Sequence, residues 1–259
     1  MAHSRRSLAV LFLVCVCALI ATAQTRPPAG GPGFDPSKTP AATVKVMALS
    51  ASVPAEGLFY LKTPKEGMAI ALPRGRFSAP FVPFSHTQTL TFGVKAAAVE
   101  GVPSFRVLTQ AKWPEGDTEE VLVFLATTGE GADSRMNAIA VENGPRVFPP
   151  RSVRVMNFTG QKLFAQFGTV RSELAPGPSR GVPYPEVQAE PGRIGRFRVG
   201  LGRMDAQGGP QILFSGWADA SPESRTLIVV TPLPGSDKPE VKILVDNLPR
   251  PPKPPGSPR

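Results

Sequence analysis

Residues 121–125, Val-Leu-Val-Phe-Leu, are apolar at five consecutive positions, and residues 227–230, Leu-Ile-Val-Val, repeat this pattern later in the chain. A short apolar run bounded by turn residues is typical of a strand that is buried on both faces. In residues 196–201, Arg-Phe-Arg-Val-Gly-Leu, apolar residues occupy every second position instead, which indicates a strand with one buried face. The two patterns together predict a β protein that contains both central and half-exposed strands.

The composition favours the same class. The chain has 259 residues, of which 31 are Pro and 25 are Gly, and 41% of its residues are hydrophobic. This apolar content is enough to build a core, whereas frequent Pro and Gly interrupt helices. No segment keeps a helical periodicity over three turns. We therefore expect an all-β fold of many short strands joined by sharp turns.

The N-terminal segment has the pattern of a secretory signal peptide. Arg5 and Arg6 form its positive region, and residues 8–20 form an apolar stretch that is too short to span a bilayer. Residues 21–23, Ala-Thr-Ala, offer a cleavage site for small residues. We expect residues 1–23 to be removed, which predicts a secreted or periplasmic protein without a transmembrane segment.

Cleavage limits the chemistry that remains. The mature chain would start at Gln24, lose both cysteines, Cys15 and Cys17, and keep one histidine, His86. Thiol catalysis, zinc–thiolate sites and iron–sulfur clusters need cysteine, and one histidine does not supply a transition-metal site. The count of Lys and Arg falls from 29 to 27 against 20 acidic residues, so the net charge falls from +9 to +7. We expect no cofactor and no metal.

The region between the two ends of the chain repeats itself. Residues 44–47 (Val-Lys-Val-Met) match residues 153–156 (Val-Arg-Val-Met), and residues 90–94 match residues 197–201. Further matches follow in the same order: Leu58-Phe59-Tyr60 with Leu163-Phe164, residues 71–75 with 173–177, Trp113 with Trp217, and Val141-Glu142-Asn143 with Val245-Asp246-Asn247. Each copy offers about seven strand candidates in about 100 residues, which fits an immunoglobulin-like sandwich without its disulfide.

The predicted organisation is therefore two tandem immunoglobulin-like β-sandwich units after a cleaved signal peptide. The segments are a signal peptide (1–23), a flexible Pro/Gly-rich leader (24–42), a first sandwich unit (43–143), a linker (144–151), a second sandwich unit (152–247) and a basic polyproline tail (248–259). The leader and the tail are rich in Pro and lack periodicity, so we expect them to be solvated.

The candidate catalytic residues form no recognisable constellation. A nucleophilic triad needs a histidine beside a nucleophile, and His86 lies in a Phe-Ser-His-Thr segment of a chain without a Gly-x-Ser-x-Gly motif. A glycosidase needs only two carboxylates across a cleft, and the sequence leaves this open. The acidic residues crowd into two turns, near residues 115–120 and 219–223, which is a solubility pattern. We expect no enzyme, with a carbohydrate-active enzyme as an alternative.

The two tryptophans, Trp113 and Trp217, each follow a strand candidate and precede an acidic turn. Their equivalent positions predict a shared packing role inside the two cores, because buried aromatic rings contribute strongly to core stability. Exposed rings would instead act as sugar-stacking platforms, and the chain would then be a carbohydrate-binding module.

Residues 153–159, Val-Arg-Val-Met-Asn-Phe-Thr, are followed by a Leu-rich strand and a Pro-Gly turn at 174–177. This stretch resembles exported bacterial β-sandwich proteins, many of them uncharacterised, and more distantly the periplasmic adaptor proteins of alginate acetylation. The resemblance implies a β-sandwich in the envelope and a non-catalytic assembly role, and it carries over no catalytic residue. The first unit departs from the pattern, with Ala48-Leu49-Ser50 in place of the Asn and Thr. The sequon Asn157-Phe158-Thr159 falls inside a predicted strand.

A basic stretch in the second unit is the candidate binding site. Alternation places Arg196 and Arg198 side by side on one face, with Arg193 and Arg203 beyond them, whereas the matching strand of the first unit carries threonines there. Guanidinium groups pair well with carboxylates and phosphates. We therefore predict a patch for an anionic polysaccharide, an anionic lipid or an acidic envelope protein, with no role for nucleic acid. The expected function is an exported non-catalytic binding or structural module of the bacterial cell envelope.

Overall fold

The all-β prediction is confirmed by a computed structural model, in which the described residues form strands and no α-helix. The structure describes residues 42–84, 89–99, 101–116, 118–129, 133–186, 194–205, 207–221 and 223–248. The predicted signal peptide, nearly all of the leader and of the tail, His86 and Arg193 lie outside these ranges. Within them, no helix is long and apolar enough to cross a membrane.

The strands fall into two groups along the chain. The N-terminal half contains β1 (Thr43–Ala48), β2 (Leu58–Thr63), β3 (Glu66–Ile70), β4 (Thr89–Val99), β5 (Val102–Lys112), β6 (Glu120–Thr128) and β7 (Arg135–Glu142). The C-terminal half contains β8 (Ser152–Asn157), β9 (Leu163–Phe167), β10 (Val170–Leu174), β11 (Gly177–Pro178), β12 (Val182–Pro183), β13 (Gly195–Met204), β14 (Pro210–Ala220), β15 (Ser224–Thr231) and β16 (Glu240–Asn247).

These strands form four sheets, two in each half. Sheet 1 has the order β1-β6-β7, and sheet 2 has the order β3-β2-β4-β5. Sheet 3 has the order β11-β8-β15-β16, with β12 also paired to β8, and sheet 4 has the order β10-β9-β13-β14. Strand β1 pairs with β6 in parallel, and β8 pairs with β15 in parallel, whereas the other strand pairs described are antiparallel.

Each half buries a core between its two sheets. In the N-terminal half, Val46 and Val123 of sheet 1 pack against Tyr60 of sheet 2. In the C-terminal half, Val155 of sheet 3 belongs to the same core as Phe167 of sheet 4. Two packed sheets are consistent with the expected β-sandwich. The strand order differs from that of an immunoglobulin domain, whose first strand lies beside its second in the order ABED.

The two apolar runs are central strands, as predicted. Residues 121–125 lie in β6 and residues 227–230 lie in β15, and all of them are buried. Successive side chains of a strand point to opposite faces of its sheet. Val123 accordingly faces the core of its own half, whereas Leu122 and Phe124 face a third apolar cluster.

This third cluster joins the two halves. Its members come from sheet 1, sheet 3 and the segment between them: Met47, Leu122, Phe124, Val141, Phe148, Met156, Leu227 and Val229. Phe148 lies in the predicted linker and is fully buried. The connecting segment therefore contributes a core residue, and Pro40–Arg259 forms one compact unit.

A buried ion cluster also crosses between the halves. Arg225 of β15 is 2% exposed, and its guanidinium group donates to Glu120, to Asp246 Oδ2 at 2.9 Å and to two backbone carbonyl oxygens at 2.8 and 2.9 Å. Lys45 Nζ lies 2.9 Å from Glu120 Oε1 and 3.3 Å from Asp246 Oδ1. Lys45 and Glu120 belong to the N-terminal half and the other two residues to the C-terminal half, so the ion pairs link the halves.

Burial and charge pairing oppose each other at the basic residues of this region. Burial lowers the pKa of Lys45, but its hydrogen bonds and ion pairs with Glu120 and Asp246 outweigh this effect and leave the pKa above its ordinary value. Burial lowers the pKa of Arg154 to about 10, and the nearby carboxylate of Glu142 offsets only part of this shift. The folded protein therefore favours the charged form of Lys45.

Candidate functional site

The outer face of sheet 4 carries the arginines that the sequence singled out. Along β13, Phe197 and Val199 are buried in the core, whereas Arg196 and Arg198 are exposed. The predicted alternation is therefore confirmed. Because a strand rises about 3.3 Å per residue, the two arginines stand about 7 Å apart on the same face.

The register of sheet 4 shows which residues share this face with them. From one end of β13 to the other, the rows across the sheet are Arg196 with Asp219, Arg198 with Trp217, Arg171-Gln166-Gly200-Ser215, and Glu173-Phe164-Gly202-Ile212. The face is basic and aromatic at one end and mainly apolar at the other.

A groove of about 700 Å³ lies across the apolar part of this face. Its floor is β13 at Gly200 and Gly202, which carry no side chains, and apolar atoms make up most of its lining. Phe164 of β9 borders it on one side and Ile212 of β14 on the other, and Met204 at the end of β13 also lines it. Met204 and Ile212 are 50% and 75% exposed, so this half of the sheet presents apolar surface to solvent.

Charged side chains surround the groove. Arg171, Arg198 and Arg203 line it together with Glu173. The Glu173 carboxylate is paired with Lys162 Nζ at 2.5 Å, so the negative charge that it adds is compensated. The guanidinium groups therefore set a positive charge along the rim.

The two glycines of the floor differ in whether packing requires glycine at their positions. At Gly202 a Cβ would lie 2.8 Å from the backbone oxygen of Gln211, where the register shifts after Leu201, so the close backbone approach excludes any side chain. At Gly200 a Cβ would lie 3.8 Å from Gln166 Cβ, which is an ordinary contact. Packing does not require glycine at position 200, and its missing side chain keeps the groove open.

Trp217 extends the site towards the basic end. Its ring is 58% exposed, and the Arg196 guanidinium lies 6.0 Å from the ring centre and 3.2 Å from an Asp219 carboxylate oxygen. Arg198, which lies opposite Trp217, donates to Ser215 Oγ at 3.2 Å. Among the described residues, no carboxylate lies within ion-pair distance of Arg198, so its positive charge is available to a ligand.

The prediction that the two tryptophans occupy matching core positions is wrong. The small core residues Ala111 and Ala218 lie at corresponding positions, each opposite a buried residue of the neighbouring strand. Trp113 follows its alanine by two residues, which keeps it on the core side, half-buried against the N-terminal core. Trp217 precedes its alanine by one residue, which places it on the solvent side.

Of the two other predicted site residues, the structure describes Arg203. Arg203 is half-buried near the end of β13 and donates to Gln211 Oε1 at 2.7 Å and to Gln161 Oε1 at 3.0 Å. It lines the end of the groove. Arg193 lies outside the described residues.

The sequon residue Asn157 has a structural role. It is 1% exposed at the end of β8, where the sequence predicted a strand. Its Nδ2 donates to Gln161 O at 2.8 Å and to Ala175 O at 3.2 Å, and its Oδ1 accepts from Thr159 Oγ1 at 2.7 Å. The amide is therefore occupied in closing the turn after β8, and the fold leaves it no room for a glycan.

The two carboxylates of the ion cluster are held in ion pairs, since Glu120 and Asp246 both contact Arg225 and Lys45. In the described part of the chain, no group of three His, Cys, Asp or Glu side chains is arranged to hold a metal ion.

The groove is not evident from the sequence alone. Phe164, Arg171 and Ile212 come from β9, β10 and β14, and only the pairing of those strands with β13 brings them together. No local pattern marks them, since each looks like an ordinary residue of a half-exposed strand.

Comparison with known proteins assigns no family. No protein-family model matches the chain, and no curated protein is significantly similar to it.

Proposed function

We propose that this protein is an exported, non-catalytic binding module of the bacterial cell envelope, and that it binds an anionic ligand on the outer face of sheet 4. The observation that carries the proposal is that Arg196 and Arg198 lie beside the exposed Trp217 on one sheet face, which also carries Arg171 two strands away from Arg198. Guanidinium groups are suited to carboxylates and phosphates because their donors form a planar fork.

We further propose that the module consists of two tandem β-sandwich units related by duplication. Sheets 1 and 3 share a parallel pair followed by an antiparallel pair, which supports this. A local match supports it too: Val46 N donates to Ser78 Oγ at 3.0 Å, and Val155 N donates to Ser179 Oγ at 2.9 Å. Both serines also return a backbone bond of 2.8 Å to the same valine. The units are immunoglobulin-like in having two packed sheets, with their own strand order.

Export is supported by the N-terminal sequence. Residues 1–23 combine a positive region, an apolar stretch and a small-residue cleavage site. Intact-mass measurement of the exported protein should give a chain that starts at Gln24. A retained N-terminus, or a lipid on Cys15 or Cys17, would contradict this part of the proposal.

The ligand surface can be tested with an anionic polymer. The mature protein should be retained on a dextran sulfate resin at low ionic strength and released as salt rises, because exposed charges are screened. Arg196→Glu with Arg198→Glu should abolish retention and leave the melting temperature nearly unchanged. The matched control is Lys95→Glu with Arg106→Glu, which changes the net charge equally at two exposed positions of sheet 2. Equal retention of the two double variants would contradict the proposal.

A carbohydrate-binding module is a second candidate, and the exposure of Trp217 favours it. Sugar rings stack on exposed aromatic faces, and this ring is 58% exposed within a strand. Affinity electrophoresis in gels that contain a neutral glucan tests this candidate, with Trp217→Ala as the variant. If the glucan retards the parent protein but not Trp217→Ala, the result would support this candidate. If the glucan leaves the mobility of the parent protein unchanged, the result would reject it.

A further inference from the structure

We propose that the ligand of the sheet 4 face is a single-chain anionic amphiphile, whose alkyl chain lies in the groove over Gly200 and whose anionic head meets Arg198 and Arg171. This inference rests on the proposed function, because it names the ligand class of the same face. A free fatty acid and an anionic lysophospholipid share this chemistry.

The lining of the groove calls for an apolar ligand part. Phe164, Met204, Pro210 and Ile212 contribute to a lining that is mostly apolar. Ile212 is 75% exposed and Met204 is 50% exposed, and covering such side chains removes apolar surface from water. An anionic sugar polymer would leave this surface uncovered, whereas an alkyl chain would cover it.

The rim calls for a negative charge beside that apolar part. Arg198 stands at one end of the groove, with Ser215 as its nearest partner at 3.2 Å. Arg171 lies in the same cross-strand row as Gly200, and Arg198 lies two residues before Gly200 on β13. An anionic head group near Gly200 is therefore within reach of the guanidinium groups of Arg198 and Arg171. The apolar floor and the two cations together match a molecule with one apolar chain and one anionic head.

Position 200 offers a way to close the groove without disturbing the sheet. The backbone there has the ordinary extended conformation, and a Cβ would meet only Gln166 Cβ at 3.8 Å. A leucine at this position would project into the groove and occupy the space of the alkyl chain. Gln110→Leu is the matched control, since it adds a leucine to the exposed face of sheet 2.

The experiment is titration calorimetry of the mature protein with dodecanoate and with 1-lauroyl-lysophosphatidylglycerol, each below its micelle concentration. Dodecyl maltoside provides the same chain without charge, and acetate provides a carboxylate without the chain. The expected result is one site per chain for an anionic amphiphile. Gly200→Leu and Arg198→Gln should each weaken it at least tenfold, and Gln110→Leu should leave it unchanged. The stronger of the two anionic probes identifies the source of the ligand.

Several results would overturn the inference. Equal affinity of Gly200→Leu and the parent protein would place the chain elsewhere, and equal affinity for dodecyl maltoside would remove the role of the cations. No binding of either anionic probe, with retention on dextran sulfate intact, would reject the amphiphile and leave the proposed function standing. Absence of both amphiphile binding and retention on dextran sulfate would reject the amphiphile and the proposed function together.

A second copy of this chain is the other occupant to be tested. Sedimentation velocity of the parent protein and of Gly200→Leu decides this. A dimer that Gly200→Leu converts to a monomer would mean that a neighbouring chain covers the groove, and this would overturn the amphiphile proposal. Monomers in both samples support it.

Discussion

Sheets 2 and 4 have the same strand order, but side chains fill the outer face of sheet 2 whereas the outer face of sheet 4 carries an open groove. In sheet 2 the groove position is filled from the neighbouring strand: a Cβ on Gly93 would lie 2.7 Å from Leu61 Cδ1, and Leu61 is only 4% exposed. The rings of Phe59 and Phe105 pack on the same face with their centres 4.9 Å apart. Sheet 4 leaves the corresponding place open over Gly200.

One residue accounts for much of this difference. In sheet 2, Tyr60 lies opposite Phe92, and in sheet 4, Phe167 lies opposite Val199, so Tyr60 and Phe167 occupy corresponding positions. The next residue along the chain is Leu61 in sheet 2 and Gly168 in sheet 4, and these two residues therefore correspond as well. A leucine there folds over the central strand, whereas glycine has no side chain to do so. A face of a sandwich is therefore closed or open according to a few side chains, while its strand pairing stays the same.

The largest expected effect concerns the ion cluster around Arg225, which links the two halves that carry these faces. Arg225→Ala should lower the free energy of unfolding by about 3–5 kcal/mol, because it leaves the partly buried carboxylates of Glu120 and Asp246 without their main partner. Urea denaturation followed by fluorescence measures this. Arg196→Ala removes an exposed ion pair and should change stability by less than about 1 kcal/mol. Similar small losses in both variants, or two separate unfolding transitions in the parent protein, would contradict the link between the halves.

Opening the closed face should be costly. Leu61→Ala removes a buried side chain from sheet 2 and should destabilise the protein by about 2–5 kcal/mol. Ile212→Ala on the open face removes an exposed side chain and should change stability by less than about 0.5 kcal/mol. Comparable denaturation midpoints for the two variants would show that the two faces are packed alike.

The two corresponding glycines give a matched pair. Gly93→Ala would place a Cβ 2.5 Å from the backbone oxygen of Arg106, and such overpacking should destabilise by about 1–3 kcal/mol. Gly200→Ala should be neutral or stabilise by up to about 1 kcal/mol, since alanine loses less backbone entropy than glycine. Thermal melts of both variants test the pair, and a destabilised Gly200→Ala would mean that its groove is already filled.

The smallest contrast separates the two tryptophans. Trp113→Ala should lower stability by about 1–2 kcal/mol, because its half-buried ring packs against the N-terminal core. Trp217→Ala should change stability by less than about 0.5 kcal/mol, because the ring is exposed. Chemical denaturation of the two variants measures these changes. Equal losses in the free energy of unfolding would indicate that both rings share a packing role.

Local pattern was sufficient for some features of this molecule. The apolar runs at 121–125 and 227–230 predicted central strands, and the alternation of Arg196 and Arg198 with buried residues predicted which way those arginines point. It was insufficient for the tryptophans, because moving a residue by one position transfers it to the other face of a sheet. The sequence similarity around Trp113 and Trp217 did not reveal that the two residues are offset by three positions, an odd number that places them on opposite faces of their sheets.

The all-β class, the central strands and the basic face of β13 could be predicted from the chain's residue pattern, since these follow from the two-residue period of a strand. What lies beside that face depends on how distant strands pair. The groove over Gly200 combines three other strands that the chain brings together through long-range pairing, and Arg225 meets Glu120 across 105 positions. Such contacts are set by how sheets stack and register, and no short stretch of sequence encodes them.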